Sequence, residues 1–169
     1  MIISKIANKG LNIGPLFFLY YLSISEIDTY FENFFEILSF NIQLIIIYFW
    51  VLKRPSLLGN GHIFFAGLIN DVVMGFPLGI SSLCYLIISL MATYIKNMSV
   101  NTSITSDWFT FFLAAMFSNG TFLILASNFS EIQINFLDMS YNTFFTLIFF
   151  PFFWFLFNFY NSMIGNRNV

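Results

Sequence analysis

Six basic and eight acidic side chains are all the charge that 169 residues carry, and all but one of them fall between long apolar runs or at their ends. No motif constrains the fold as tightly as that distribution. An ordinary water-soluble domain has about 25% charged residues. Here the figure is 8%, against 59% hydrophobic and 22% aromatic, too little charge to cover a solvent-facing surface. The apolar runs read as membrane-spanning helices over Ile13–Ile27, Ile37–Leu52, Pro55–Met74, Ile80–Ile95, Trp108–Ser127 and Ser140–Tyr160. Pro55 suits the first turn of the third, where its missing N–H is not needed, and Pro151 predicts a kink in the sixth. Met1–Asn12 is left as a short head. Neither a fixed-period repeat nor a linker interrupts the series. The expectation is an all-α integral membrane protein, a single six-helix transmembrane domain over residues 1–169. No cleavable signal peptide is expected, because the first run leads into acidic residues without a small-x-small site.

Six spans put both termini on one side, and the charges orient them. With the N-terminus inside, Lys5, Lys9, Lys53, Arg54, Lys96 and Arg167 are all cytoplasmic, as the positive-inside rule requires. Asp107 is the single acid that joins them. Glu26, Asp28, Glu32, Glu36, Glu131 and Asp138 face the other way.

The remaining acid, Asp71, lies inside the third run and is followed by the turn Gly75-Phe76-Pro77-Leu78-Gly79. Gly67, Asp71 and Gly75 are spaced i, i+4, i+8 and would share one helix face. A charge within the bilayer costs from about 2.5 to well over 10 kcal/mol depending on the reference, so intramembrane acids mark functional sites by default. Two readings stand side by side: a carboxylate tying down the Phe76–Gly79 turn, or one that serves partner contact or gating. The spacing places Asp71 about one turn below the outer end of its helix, roughly 5 Å, where water can reach it. With every basic side chain on the far face, the carboxylate must be met by backbone N–H groups of the turn, by water, or by a partner's cation. Gly67 and Gly75 read as small residues that let helices pack closely.

Arg54-Pro55 before the third run, then Gly67-Leu68-Ile69-x-Asp71-Val72-x-x-Gly75-x-Pro77-Leu78-Gly79 and Ser82-Leu83, resemble the signature of the bacterial rod shape-determining MreD family. The matching residues cover Arg54–Leu83; length and topology fit along the whole chain. The resemblance implies a multi-pass protein of the bacterial inner membrane, a non-enzymatic scaffold of the cell-elongation complex with a part in regulating peptidoglycan synthesis. It implies an MreC-like protein, an MreB-like actin homologue and the rod-system peptidoglycan synthases as partners, beside the lipid bilayer and with no nucleic acid. Arg54, Pro55, Gly67, Asp71, Gly75, Pro77 and Gly79 are then the partner or structural residues. The family also resembles the substrate-binding subunits of energy-coupling-factor vitamin transporters. The rival reading is therefore a small-molecule binding or transport subunit, which should hold a pocket of convergent polar and aromatic groups near the outer leaflet.

Other residues point to little chemistry. His62 is the only histidine and has no strong ligands at metal spacing, so no metal or cofactor is expected, and His62 reads as interfacial. Cys84 reads as a small filler in a lipid or helix interface. Ser118-Asn119-Gly120-Thr121 places polar groups mid-span, for interhelical hydrogen bonds or for a cavity wall. Trp50 and Trp108 read as interface anchors. No nucleophile–base pair or phosphate loop is visible, and catalysis is not expected.

Overall fold

The computed structural model describes residues 2–25, 41–98, 103–129 and 136–165, with the first stretch's side chains described from residue 13. Among these residues all regular structure is helical: α1 (Ile2–Ile24), α2 (Ile42–Lys53), α3 (Asn60–Met74), α4 (Ile80–Met98), α5 (Ile104–Phe129) and α6 (Phe136–Gly165). Glu26, Asp28, Glu32, Glu36, Glu131 and Arg167 lie outside the described residues, as does the expected start of the second run at Ile37.

The bundle is organised around α2. Its sequence is apolar on every side, and such a helix must be covered on every side. All nine residues from Leu44 to Leu52 are buried. Around it, α1 packs on α3, α3 on α4, α4 on α5, α5 on α6, and α6 touches α1, closing a ring about the central helix. Asn41 caps α2, its side-chain oxygen accepting the Leu44 N–H at 3.2 Å. Its own N–H donates to Thr146 Oγ1 on α6, so the helix start is anchored to a neighbour. Aromatic packing fills the rest of this core. Phe111 of α5 stacks on Phe150 of α6 at 4.4 Å between centroids, and Tyr48 of α2 meets both edge-on.

Three helices, Ile80–Met98, Ile104–Phe129 and the α6 stretch Phe136–Ile164, are long and apolar enough to cross a membrane. Their outer faces carry Leu90, Phe117, Phe144, Phe152, Phe155 and Phe159, all exposed, a surface suited to lipid chains. Helices of this length and surface fit a membrane protein.

The structure departs from the sequence reading at several points. The head is not separate from the first run, since α1 is continuous from Ile2 and carries Pro15 within it. Pro55 does not open the third helix. Arg54 ends α2 at φ −146° and ψ 76°, outside the helical region that a following proline disfavours. Leu57 N–H then turns back to the Arg54 carbonyl at 3.0 Å, and α3 starts only after the extended Gly59. Its 15 residues give a helix of about 22 Å rather than the full ~30 Å. Pro151 lies inside α6, as expected. Trp50 is not an interface anchor: it is buried between Phe49, Phe157 and Tyr160, because α2 has no lipid-facing side. Trp108 is partly exposed, and its indole N–H donates to the Leu147 carbonyl at 2.9 Å.

Candidate functional site

The corner between α3 and α4 is built from the signature stretch. Gly75 ends α3 in the left-handed region at φ 70°, the usual glycine solution for a helix C-terminus. Its N–H and that of Phe76 both return to the Asp71 carbonyl. The chain then crosses Pro77-Leu78 and enters α4 through Gly79, whose φ of 105° again requires glycine.

Asp71 closes this corner from the side. One carboxylate oxygen accepts the Gly79 N–H at 2.8 Å and the other the Ser81 N–H at 2.8 Å. The first turn of a helix has N–H groups without intrahelical partners, and its positive end favours an acid. Asp71 therefore caps α4 from the last turn of α3, across a gap of eight to ten residues in sequence. Its exposure is 0%, so the expected access of water to it is corrected. The cap uses both carboxylate oxygens and leaves the group behind the turn.

One turn earlier, Gly67 lets α3 lie backbone against backbone on α4. A Cβ added there would sit 2.6 Å from Ser82 N and closer still to Ser82 Cα. Ser82 Oγ in turn donates to the Phe64 carbonyl at 3.0 Å. Gly75 has no such role, since a Cβ on it would meet nothing within 4 Å; its glycine serves the backbone turn. The structure thus gathers Gly67, Asp71, Gly75, Pro77 and Gly79 at one corner. Arg54 and Pro55 lie at the opposite end of α3, Arg54 donating to the Asn161 carbonyl of α6 at 3.3 Å and Pro55 exposed in the turn.

A relay of carboxamides starts beside the cap. Asn70 donates to Ser81 Oγ at 3.1 Å and accepts from Gln43 Nε2 at 3.1 Å. Gln43 Oε1 accepts the Tyr85 hydroxyl proton at 2.6 Å. The chain of bonds ties α2, α3 and α4 together, with both partners of each contact held in a largely apolar surrounding. It also forms one wall of a cavity of about 260 Å³, whose other walls come from α5 and α6 and include Asn119, Phe122 and Asn142.

The mid-span polar residues of α5 bond to their neighbours. Ser118 Oγ donates to the Cys84 carbonyl at 3.1 Å, and Cys84 Sγ donates to the Ser118 carbonyl at 3.4 Å. Cys84 thus lies in a helix interface and adds a reciprocal clamp. Asn119 Nδ2 donates to Thr143 Oγ1 at 2.8 Å. His62 is exposed, with Nδ1 3.1 Å from the Tyr20 hydroxyl. Among the described residues no three His, Cys, Asp or Glu side chains gather to hold a metal ion.

Sequence reasoning missed one buried charge. Asp107 is 1% exposed and pairs with Lys53 Nζ at 3.1 Å. The Trp154 indole N–H donates to the same oxygen at 3.0 Å, and the Lys53 ammonium lies 5.7 Å from the centre of that indole ring. The signal was present: Asp107 is the one acid placed among the cations.

The family model for rod shape-determining protein MreD matches residues 8–160. No curated protein and no solved structure matched the chain.

Proposed function

We propose that this chain, which belongs to the rod shape-determining MreD family, acts as a non-enzymatic membrane scaffold of the cell-elongation complex. Family membership gives it a role in determining rod shape, within the rod-shape system. The finer reading is ours: a multi-pass protein of the bacterial inner membrane, one six-helix domain over 1–169, holding an MreC-like protein, an MreB-like actin homologue and the rod-system peptidoglycan synthases in register and so regulating peptidoglycan synthesis. The observation that carries it is the family match over most of the chain. The α3–α4 corner supports it: the signature residues build a rigid, capped turn, which is what a recognition surface with little mass outside the bilayer requires. Deleting the gene is expected to disturb rod shape, and the tagged protein is expected to co-purify with an MreC-like protein. Normal rods after deletion, with no such partner recovered, would overturn the scaffold.

Both termini are cytoplasmic in this reading. Sidedness of the basic residues supports that, as does the meeting of the C-terminus of α2 with the N-terminus of α5 through Lys53 and Asp107. Single-cysteine labelling tests it in a Cys84→Ser background, where serine can still donate to the Ser118 carbonyl. An impermeant thiol reagent added outside is expected to label Asn128→Cys and to leave Ser103→Cys unlabelled. The reverse pattern would invert the topology.

A second reading, a small-molecule binding subunit, is favoured by one observation: polar side chains from five helices line the cavity beside the corner.

A further inference from the structure

We propose that the bundle pinches the lipid leaflet against the face where α3 begins, drawing headgroups toward the bilayer centre by about 10 Å, the rise of seven helical residues. The leaflet is the cytoplasmic one in the topology given above. The inference rests on the multi-pass reading and adds a lipid surface of particular shape to what the chain contacts.

Hydrogen bonds between helices set the heights. Cys84 on α4 and Ser118 on α5 bond reciprocally. Lys96 is twelve residues further along α4 and Asp107 eleven residues back along α5, so the two lie at one height. Lys53 at the end of α2 joins them there, 3.1 Å from Asp107. These charges mark one end of the bundle, and α3 stops short of it. Ser89 Oγ donates to Asn60 Oδ1 at 2.8 Å, which sets the first residue of α3 beside the middle of α4. From Ser89 to Lys96 is seven residues, about 10 Å.

What crosses that gap is not helix. Pro55–Gly59 is irregular, with Pro55, Ser56 and Gly59 exposed. Among the described residues, Leu57 N–H is its one backbone donor that finds a backbone acceptor. α3 then starts without a side-chain cap, and Asn60, Gly61 and His62 are exposed. Irregular backbone facing lipid does not occur within the hydrocarbon region, because unmet N–H and C=O groups are costly there. The exposed apolar surface of α3 starts only at Phe64 and Phe65. On α5 it runs from Trp108 to Phe129, about 31 Å and so the whole hydrocarbon thickness. A flat bilayer cannot match both faces. The edge of the notch is polar, with Ser56, Asn60 and His62 exposed and the Tyr20 hydroxyl 3.1 Å from His62 Nδ1, which suits headgroups better than an apolar partner helix. Mismatch of this kind sorts membrane proteins and draws helices together, so the pinch gives the chain a means of gathering neighbours through the bilayer.

Depth-dependent quenching tests the proposal on the full-length protein in nanodiscs, in the Cys84→Ser background. A bimane is attached at Gly61→Cys, where an added Cβ meets nothing within 4 Å, or at Leu113→Cys, exposed on α5 at the height of Asn60. The quencher is a nitroxide carried on the lipid headgroup or at mid-chain. The ratio of headgroup to mid-chain quenching is expected above one at Gly61 and below one at Leu113. Ser56→Cys replaces Gly61→Cys if helicity and melting temperature show that variant unfolded. A ratio below one at both sites would overturn the pinch, since lipid chains would then cover the start of α3. Quenching by neither nitroxide at Gly61 would also overturn it, the notch then being closed to lipid. Absence of mid-chain quenching at Leu113 would instead overturn the multi-pass reading beneath the proposal.

Discussion

Replacing Lys53 by methionine is expected to destabilise the bundle by about 3–5 kcal/mol, the range for removing one partner of a buried ion pair. Asp107 lies in the first turn of α5 at 1% exposure, and its Oδ2 receives both the Lys53 ammonium and the Trp154 indole N–H. Without the ammonium, a buried carboxylate is left with one neutral donor. The loss falls on α2, α5 and α6 together, because the pair and the indole join all three. A buried pair is often worth little against well-packed neutral groups of the same size. Lys53→Met combined with Asp107→Asn is therefore expected to recover most of the loss, the amide oxygen still accepting from Trp154. Equilibrium unfolding of the four proteins of this cycle in mild detergent measures the coupling. A single substitution costing under about 1 kcal/mol, the scale of an exposed pair, would show that the two side chains are not paired.

The second large effect is expected at Asp71. Leucine there removes the acceptor for two N–H groups at the start of α4, at about 1–3 kcal/mol for each group left unsatisfied. The damage is directional, because α4 loses its cap where it joins α3, and Gly67 still holds the two backbones together one turn away. Asp71→Asn should fall between: its oxygen keeps one N–H, while its amide nitrogen faces the other as a second donor. Melting temperatures are expected in the order wild type, Asn, Leu. Equal melting of all three would mean that the carboxylate does not hold the corner.

Sequence alone placed the helices well, because a chain with so little charge has few ways to hide its apolar surface, and the gaps between runs carry turn residues. Helix limits were harder. Gly59 adopts the extended conformation that starts α3, a choice that the preceding Pro55 did not reveal. Asp71 stood out because an acid in an apolar run is costly, yet its partners were only half legible: Gly79 belongs to the local turn, while Ser81 reaches it through the direction of α4. The cavity had no sequence signal. Asn41, Gln43, Asn119 and Asn142 are scattered over three helices and a cap, each unremarkable in its own segment, and only packing brings them together. Asp107 was visible as an exception to the charge pattern, but Lys53 was one of several cations on the same face by sequence, and the fold selects it.

The scaffold account requires that the Asp71 corner shape the contacts of this protein with its complex, beyond keeping the chain folded. Asp71→Asn expressed from the native locus measures that most directly, by comparing membrane abundance with recovery of the MreC-like partner and with cell width. Abundance close to wild type, with partner recovery reduced and cells widened, is the predicted result. Full recovery of the partner and normal rod growth in the folded Asp71→Asn protein would contradict the account and leave Asp71 a helix cap alone.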